Sequence, residues 1–229
     1  VGYAVTSSSS MLAEAIHSVA DTSNQALLLL GGRRARRDAT AAHPFGFGRE
    51  RYFWSFIVAL VLFTLGGLFA IYEGVHKLGE ASQEVSNVEW AIGILTLCIV
   101  LERYSFRTAF KESRLVKGDA SWWEFSRHSR TPELPVVLLE DLGALMGLVL
   151  ALLGISMAAI TEDSRWDAYG TISIGVLLVL IAAVLVFEMK SLLIGESALG
   201  GMRKKIVQAI EETPDVSRLL LMRTQHIGP

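Results

Sequence analysis

Apolar and charged residues are distributed so unevenly along this chain that their pattern alone predicts membrane-spanning helices. Stretches of 20 or 21 residues without Asp, Glu, Lys or Arg occur three times: Tyr52–Tyr72, Leu142–Thr161 and Ala168–Phe187. At 1.5 Å per residue, a helix of this length crosses a hydrocarbon core of roughly 30 Å. Two further stretches, Met11–Gly31 and Trp90–Phe110, are almost as apolar but contain ionisable residues.

The pattern therefore predicts five spans, at about 10–31, 51–77, 88–113, 133–160 and 168–194. Residues Val1–Val5 resemble the last turn of a helix, and no initiator Met or signal peptide precedes them. We therefore expect a first helix that is largely missing from this chain. The fold class is an all-α integral membrane protein with a six-helix transmembrane bundle.

Charge in the connections alternates, and this predicts the orientation of the bundle. The connections 32–51 and 114–130 are basic, whereas 78–89 and 161–167 are acidic. Basic loops remain on the cytoplasmic side of a membrane. We therefore expect a multi-pass protein of the cell membrane whose basic loops and C-terminal segment are cytoplasmic.

The segment 195–229 differs in character from the predicted transmembrane domain, 1–194. Gly201–Glu212 has the pattern of an amphipathic soluble helix, and Val216–Thr224 mixes apolar and basic residues as a strand does. We interpret this segment as the truncated beginning of a cytoplasmic α/β domain of the ferredoxin-like type.

Composition narrows the chemistry that the bundle can perform. The chain is 52% hydrophobic with a net charge of −2, and Cys98 is its only cysteine. A single cysteine in an apolar run excludes an intrachain disulfide and a site built from several thiolates. Metal ligands must therefore come from His, carboxylates and amides.

The strongest candidate site is the pair His17 and Asp21 in the span 10–31. Residues four apart lie on one helix face, so an imidazole and a carboxylate can share one divalent ion. Asn24 lies close to the same face. The alternative is a hydrogen bond between His17 and Asp21 that satisfies two buried polar groups. Glu14, nearer the helix start, is expected to face water.

Two pairs of ionisable residues also lie in predicted spans. Burying such residues in a membrane is costly, so by default they mark a functional site. Adjacent Glu140 and Asp141 point about 100° apart on a helix, so only one is expected to be a primary ligand. The alternative is an acid pair close to the membrane face. Glu102 and Arg103 are expected to form an ion pair with each other and to fix the register between neighbouring helices.

Four motifs occur in an order that resembles the cation diffusion facilitator family: SSSSMLAEAIHSVADTSNQ, HPFGFGRERYFWSF, LEDLGALMG and EMKSLLIGESA. The resemblance covers essentially the whole chain. It implies six transmembrane helices, a C-terminal cytoplasmic domain, a homodimer, and export of Zn²⁺ or a similar ion against protons. It also implies a tetrahedral site between the second and fifth helices, here the spans 10–31 and 133–160.

Carried over by position, the resemblance assigns His17, Asp21 and Asp141 as metal ligands. Val137 stands where the family has its fourth ligand. Glu140 is the obvious substitute, although its direction on an undistorted helix is wrong, and Asn24 or water could also fill the place.

The family often has a second, shallower site in the loop that follows the span 10–31, and only His43 matches it here. A lone histidine in a loop is usually exposed to solvent, so the residue alone predicts no role. Thr40 and Phe47 stand at the other two positions of that site, so the accessory site is expected to be absent. His226 lies where some members bind metal in the cytoplasmic domain.

The ligand chemistry suggests an exchange mechanism and leaves the ion open. Metal binding requires deprotonated ligands, and an isolated imidazole has a pKa of about 6.5. We expect His17 to carry the exchanged proton. One nitrogen and several oxygens accept Mn²⁺, Fe²⁺ or Co²⁺ as well as Zn²⁺. Zn²⁺ leads because the family resemblance favours it.

Other classes of function fit the sequence less well. An intramembrane metal-dependent hydrolase would need an activated water and a base, and the chain has neither an HExxH pattern nor a nucleophile beside a base. A non-transporting metal sensor or scaffold is the other alternative. No catalytic role is predicted, and no nucleic-acid partner is expected.

Overall fold

Long helices connected by short segments make up the part of the chain that the computed structural model describes: residue 4 and residues 8–79, 87–118, 121–122, 133–198, 200–214, 216–225 and 227. The helices are α1 (Ser9–Ala35), α2 (Glu50–Gly79), α3 (Val88–Lys117), α4 (Glu133–Thr161), α5 (Arg165–Ile194) and α6 (Gly200–Glu211). The first five coincide with the five predicted spans to within a few residues.

The prediction of an all-α membrane protein is confirmed in this coarse form. Three of the described helices, α2, α4 and α5, are long and apolar enough to cross a bilayer. Helices α1 and α3 are also long, at 27 and 30 residues, but they carry the ionisable groups noted above. Large apolar side chains on the outer faces of the bundle are exposed, as a lipid-facing surface requires.

Helix α1 begins one residue before the predicted span 10–31 and ends four residues after it. The Ser8 side chain caps the helix by accepting a hydrogen bond from the backbone N–H of Met11. The glycines at 31 and 32 do not end the helix, which continues to Ala35. A Cβ on Gly31 would lie 2.7 Å from Trp54 Cβ, so this glycine permits close packing of α1 on α2 rather than a helix stop.

The helices pack so that α1 lies over the interior of the bundle. Helix α3 packs on α4, α4 on α5, and α5 on α2, while α1 contacts α2, α4 and α5. The apolar core between them includes the fully buried side chains Leu62, Leu95, Ile155, Ile174 and Leu178. This arrangement places the polar face of α1 opposite α4.

Helices α2 and α5 approach each other at the level of the backbone. A Cβ on Gly175 would lie 2.7 Å from Ile71 N and 2.8 Å from Gly67 O, closer than Cβ contacts normally are. A Cβ on Gly67 would in turn lie 3.1 Å from Val179 N. Only glycine fits at these two positions, and the two helices therefore pack as a close pair.

Helix α2 contains a π-helical segment, Leu62–Leu68, that the hydrophobic pattern did not reveal. The segment includes the glycine pair 66–67, and a Cβ on Gly66 would lie 3.7 Å from His17 Nδ1. Short π-helical turns inside α-helices occur frequently at functional sites. Here the irregular turn lies beside the histidine of the candidate site.

A buried ion pair joins three helices at one end of the bundle. Lys77 Nζ of α2 lies 2.8 Å from Asp167 Oδ2 of α5, and the Asp167 side chain is fully buried. The same carboxylate accepts hydrogen bonds from Ser8 Oγ at 2.9 Å and from Ser9 N at 3.0 Å, at the start of α1. Free N–H groups at a helix start favour an anion, so Asp167 binds both a lysine and a helix N-terminus.

The C-terminal segment corrects one prediction. Helix α5 ends at Ile194 and is followed by Gly195, whose φ of 109° favours glycine, and α6 follows as the predicted amphipathic helix. The strand predicted at 216–224 is not formed, because a strand requires hydrogen bonds to a neighbouring strand and the described residues contain none. Thr224 Oγ1 instead accepts a hydrogen bond from Ala198 N at 3.0 Å.

We predict that Asp167→Asn destabilises the protein strongly. The substitution removes the charge opposite Lys77 inside the bundle, and breaking a buried ion pair from one side costs about 3 kcal/mol. The expected result in detergent or nanodiscs is a fall in Tm on the order of 5–10 °C. Asp38→Asn, at an exposed loop position, is the matched control and should leave Tm unchanged. Equal Tm values for the two variants would show that the ion pair does not stabilise the bundle.

Candidate metal site

One face of α1 carries a row of polar side chains into the bundle. Glu14, His17, Asp21 and Asn24 follow one another at spacings of three or four residues, which places them on one side of the helix. His17 is 2% exposed and Asn24 is fully buried. His17 Nε2 lies 3.4 Å from Asp21 Oδ2, which is the predicted pairing one turn apart.

Helix α4 presents its two adjacent carboxylates to different neighbours. Asn24 Nδ2 of α1 donates a hydrogen bond to Glu140 Oε1 of α4. Asp141 Oδ2 accepts a hydrogen bond from Ser105 Oγ of α3 at 3.1 Å. The two carboxylates therefore face α1 and α3 respectively, as the 100° step between consecutive helical residues requires.

The position of the family's fourth ligand is apolar in the structure as in the sequence. Val137 packs against the hydrophobic core. Glu140 was expected to point the wrong way for a ligand on an undistorted helix. In the structure it is the carboxylate that reaches α1. Asp141, which matches the family's aspartate, lies against α3 in this conformation.

The predictions for Glu14 and Glu102, exposure to water and an ion pair with Arg103, are wrong. Glu14 does not face water: its Oε1 atom is buried, 2.9 Å from where a Cβ on Gly147 of α4 would lie. Glu102 lines the same cavity as Glu14, and it forms no ion pair with the exposed Arg103 in the described structure. Neighbouring helical residues point about 100° apart, which separates the pair. The three- and four-residue spacing that links Glu14 to His17 and Asp21 was the signal available for Glu14.

Several buried polar atoms in this region lack hydrogen bonds among the described residues: Glu14 Oε1, His17 Nδ1, His17 Nε2, Asp21 Oδ1 and Asn24 Oδ1. Buried polar atoms are nearly always paired, so such a group of lone-pair donors is unusual. In this conformation, however, no three His, Cys, Asp or Glu side chains of the described residues converge on one point that could hold a metal ion. Side-chain movement is needed before these groups could coordinate one.

His43 lies apart from this region. It lies in the loop that follows α1. The end of α1 at Ala35 is about 27 Å along the helix axis from His17. The ring of His43 packs on Phe47 with centroids 4.5 Å apart, and its backbone N–H donates to Thr40 Oγ1. The positions of the family's accessory site are therefore adjacent, but His43 is the only metal-ligating side chain among them. His226 lies outside the described residues.

Comparison with known sequences decides the family. The sequence model of the cation efflux transmembrane domain matches residues 1–194. The chain belongs to this family of cation efflux proteins. It is a multi-pass membrane protein of a transporter family, and the resemblance found in the motifs is confirmed.

The relatives are identical to this chain at about a third of the aligned positions. The proton-coupled zinc antiporter SLC30A9, mitochondrial, is 32% identical over the whole chain in Xenopus laevis and 31% identical over 97% of it in Homo sapiens. Metal tolerance protein C4 of Arabidopsis thaliana is 31% identical over 97% of the chain. The chain spans 41%, 39% and 49% of the lengths of these three proteins.

We predict that Glu140→Gln weakens binding of Zn²⁺ or Mn²⁺ by about tenfold or more, because this carboxylate reaches α1 at Asn24. Asp141→Asn should weaken binding less, since Asp141 is directed towards Ser105. Isothermal titration of the purified full-length protein in nanodiscs measures both affinities. A larger loss for Asp141→Asn would show that α4 turns before it binds metal.

Proposed function

We propose that this chain is the transmembrane part of a secondary transporter that exports a divalent cation, with Zn²⁺ as the leading substrate. Membership of the cation efflux family supports transport, and the relatives named as zinc antiporters support the choice of ion. The ion passes between α1 and α4.

The observation that carries this proposal is the group of buried lone-pair donors on α1 opposite Glu140. His17, Asp21 and Glu140 supply one nitrogen and two carboxylates, and Asn24 Oδ1 supplies a neutral oxygen. Zn²⁺ prefers four ligands of these types at about 2.0–2.2 Å. Asp141 is a further ligand once it leaves Ser105, so exchange of Glu140 and Asp141 accompanies the conformational cycle.

Orientation, location and assembly belong to the same proposal. The basic loop after α1 lies in the cytoplasm by the positive-inside rule, so the Ser9 end of α1 faces the opposite side. The membrane is the cell membrane, although the animal relatives carry the word mitochondrial in their names. The functional unit is a homodimer in the lipid bilayer, followed by a cytoplasmic domain that begins near residue 195.

Coupling to protons follows from the ligand chemistry. Imidazole and carboxylate ligands bind either a metal ion or a proton, and occupancy by one displaces the other. A site that opens alternately to the two sides of the membrane therefore exchanges metal for protons. His17 is the group that we expect to carry the exchanged proton.

We predict that Asp21→Ala abolishes metal flux. Removing this carboxylate leaves His17 without its ligand partner one turn away, and uptake of ⁶⁵Zn into inverted vesicles should fall at least twentyfold, close to the level of empty vesicles. Asp38→Ala, in the exposed loop, is the matched control and should transport normally. Normal flux through Asp21→Ala would refute the transporter proposal and favour a sensor or scaffold.

We predict that a pH gradient across the vesicle membrane drives Zn²⁺ uptake. With the vesicle lumen more acidic than the medium, Zn²⁺ uptake should accelerate severalfold, and the lumen should lose protons as metal enters. A pH-sensitive dye in the lumen reports the proton movement. Uptake that proceeds at one rate with and without the gradient would contradict antiport while leaving metal transport itself intact.

A further inference from the structure

The cavity beside the candidate site is lined by two carboxylates that the family's ligand pattern does not include. It has a volume of about 360 Å³ and lies between α1, α3 and α4. Its ionisable lining residues are Glu14, His17, Asp21 and Glu102. Glu140 and Asp141 are not among them, so the cavity extends away from the α4 carboxylates.

Helix geometry gives the direction of this extension. Glu14 precedes Asp21 by seven residues, which is about 10 Å along α1. On α4, Glu14 lies beside Gly147, seven residues after the carboxylate that binds Asn24. The helices are antiparallel, and both spacings place Glu14 about 10 Å nearer the Ser9 end of the bundle than Glu140.

Glu102 supplies the second carboxylate at this level. It lies on α3, across the cavity from α1, and lines the same cavity as Glu14. Two carboxylates that share an apolar membrane cavity repel each other, and the arrangement is costly unless a cation offsets them. His17 is 2% exposed, lines the same cavity, and has no hydrogen bond to either ring nitrogen among the described residues.

We propose that Glu14 and Glu102 form a second position for the transported divalent cation, completed by His17. The inference rests on the proposed function. The ion first binds at the level of Asp21 and Glu140 and then moves about 10 Å along α1 to the second position. Because the second position is rich in carboxylate oxygen, it accepts Mn²⁺ as well as Zn²⁺.

Cys98 provides a native reporter of this position, since it lines the same cavity and is the only cysteine of the chain. The experiment measures the rate at which methyl methanethiosulfonate modifies Cys98 in the full-length protein, with and without saturating Mn²⁺. Mn²⁺ is chosen because it binds thiolates poorly. Cys98→Ser defines the background labelling.

The proposal expects Mn²⁺ to slow modification of Cys98 at least fivefold in the parent protein. In the double variant Glu14→Gln/Glu102→Gln, Mn²⁺ should slow it less than twofold. Glu112→Gln, an exposed glutamate on α3, is the matched control and should behave as the parent. Full protection in the double variant overturns the proposal.

Gly147→Ala tests the same position while keeping every carboxylate. Its new Cβ would lie 2.9 Å from Glu14 Oε1 and so displaces that side chain, which should reduce protection at least twofold. This variant decides the question if the double variant does not fold, and unchanged protection overturns the proposal.

If Asp21→Ala still transports metal, the proposed function fails. If Asp21→Ala stops transport but protection is independent of Glu14 and Glu102, only the second position fails.

Discussion

The buried carboxylate of Asp167 determines where α1 lies relative to the rest of the bundle. It binds Lys77 of α2 and, at the same time, the Ser8 hydroxyl and the Ser9 amide at the start of α1. Burying these charges is costly unless every group is paired, so the three helices are held together in one register. The height of His17 in the membrane follows from that register, because it lies a fixed number of residues after Ser9.

The bundle separates polar groups that are satisfied from polar groups that are not. Around Asp167 every described partner contributes to a closed network of hydrogen bonds and one ion pair. About two to four turns further along α1, the ring nitrogens of His17 and the Oδ1 atoms of Asp21 and Asn24 have no hydrogen-bond partner among the described residues. A rigid, satisfied end next to an unsatisfied interior suits a protein that must bind an ion and then release it.

The sequence predicted the helices well because long apolar runs leave little freedom in a membrane, where backbone groups must bond within the helix. It also predicted the contact between His17 and Asp21, since both lie on one helix and their spacing sets their geometry. It failed where the answer depended on a neighbouring helix. The burial of Glu14 against Gly147, the contact between Glu140 and Asn24, and the strand expected at 216–224 are all tertiary questions.

The π-helical segment Leu62–Leu68 changes the phase of α2. Each residue of an α-helix advances the chain by about 100°, so one additional residue in a turn rotates everything that follows by that angle. Lys77 follows the segment, and its direction towards Asp167 depends on this rotation. The π-helical turn accommodates one residue more than a regular α-helix would hold over the same rotation. If the same sequence were wound as a regular α-helix throughout, Lys77 would point about 100° away from Asp167, so the ion pair requires the irregular turn as well as the lysine.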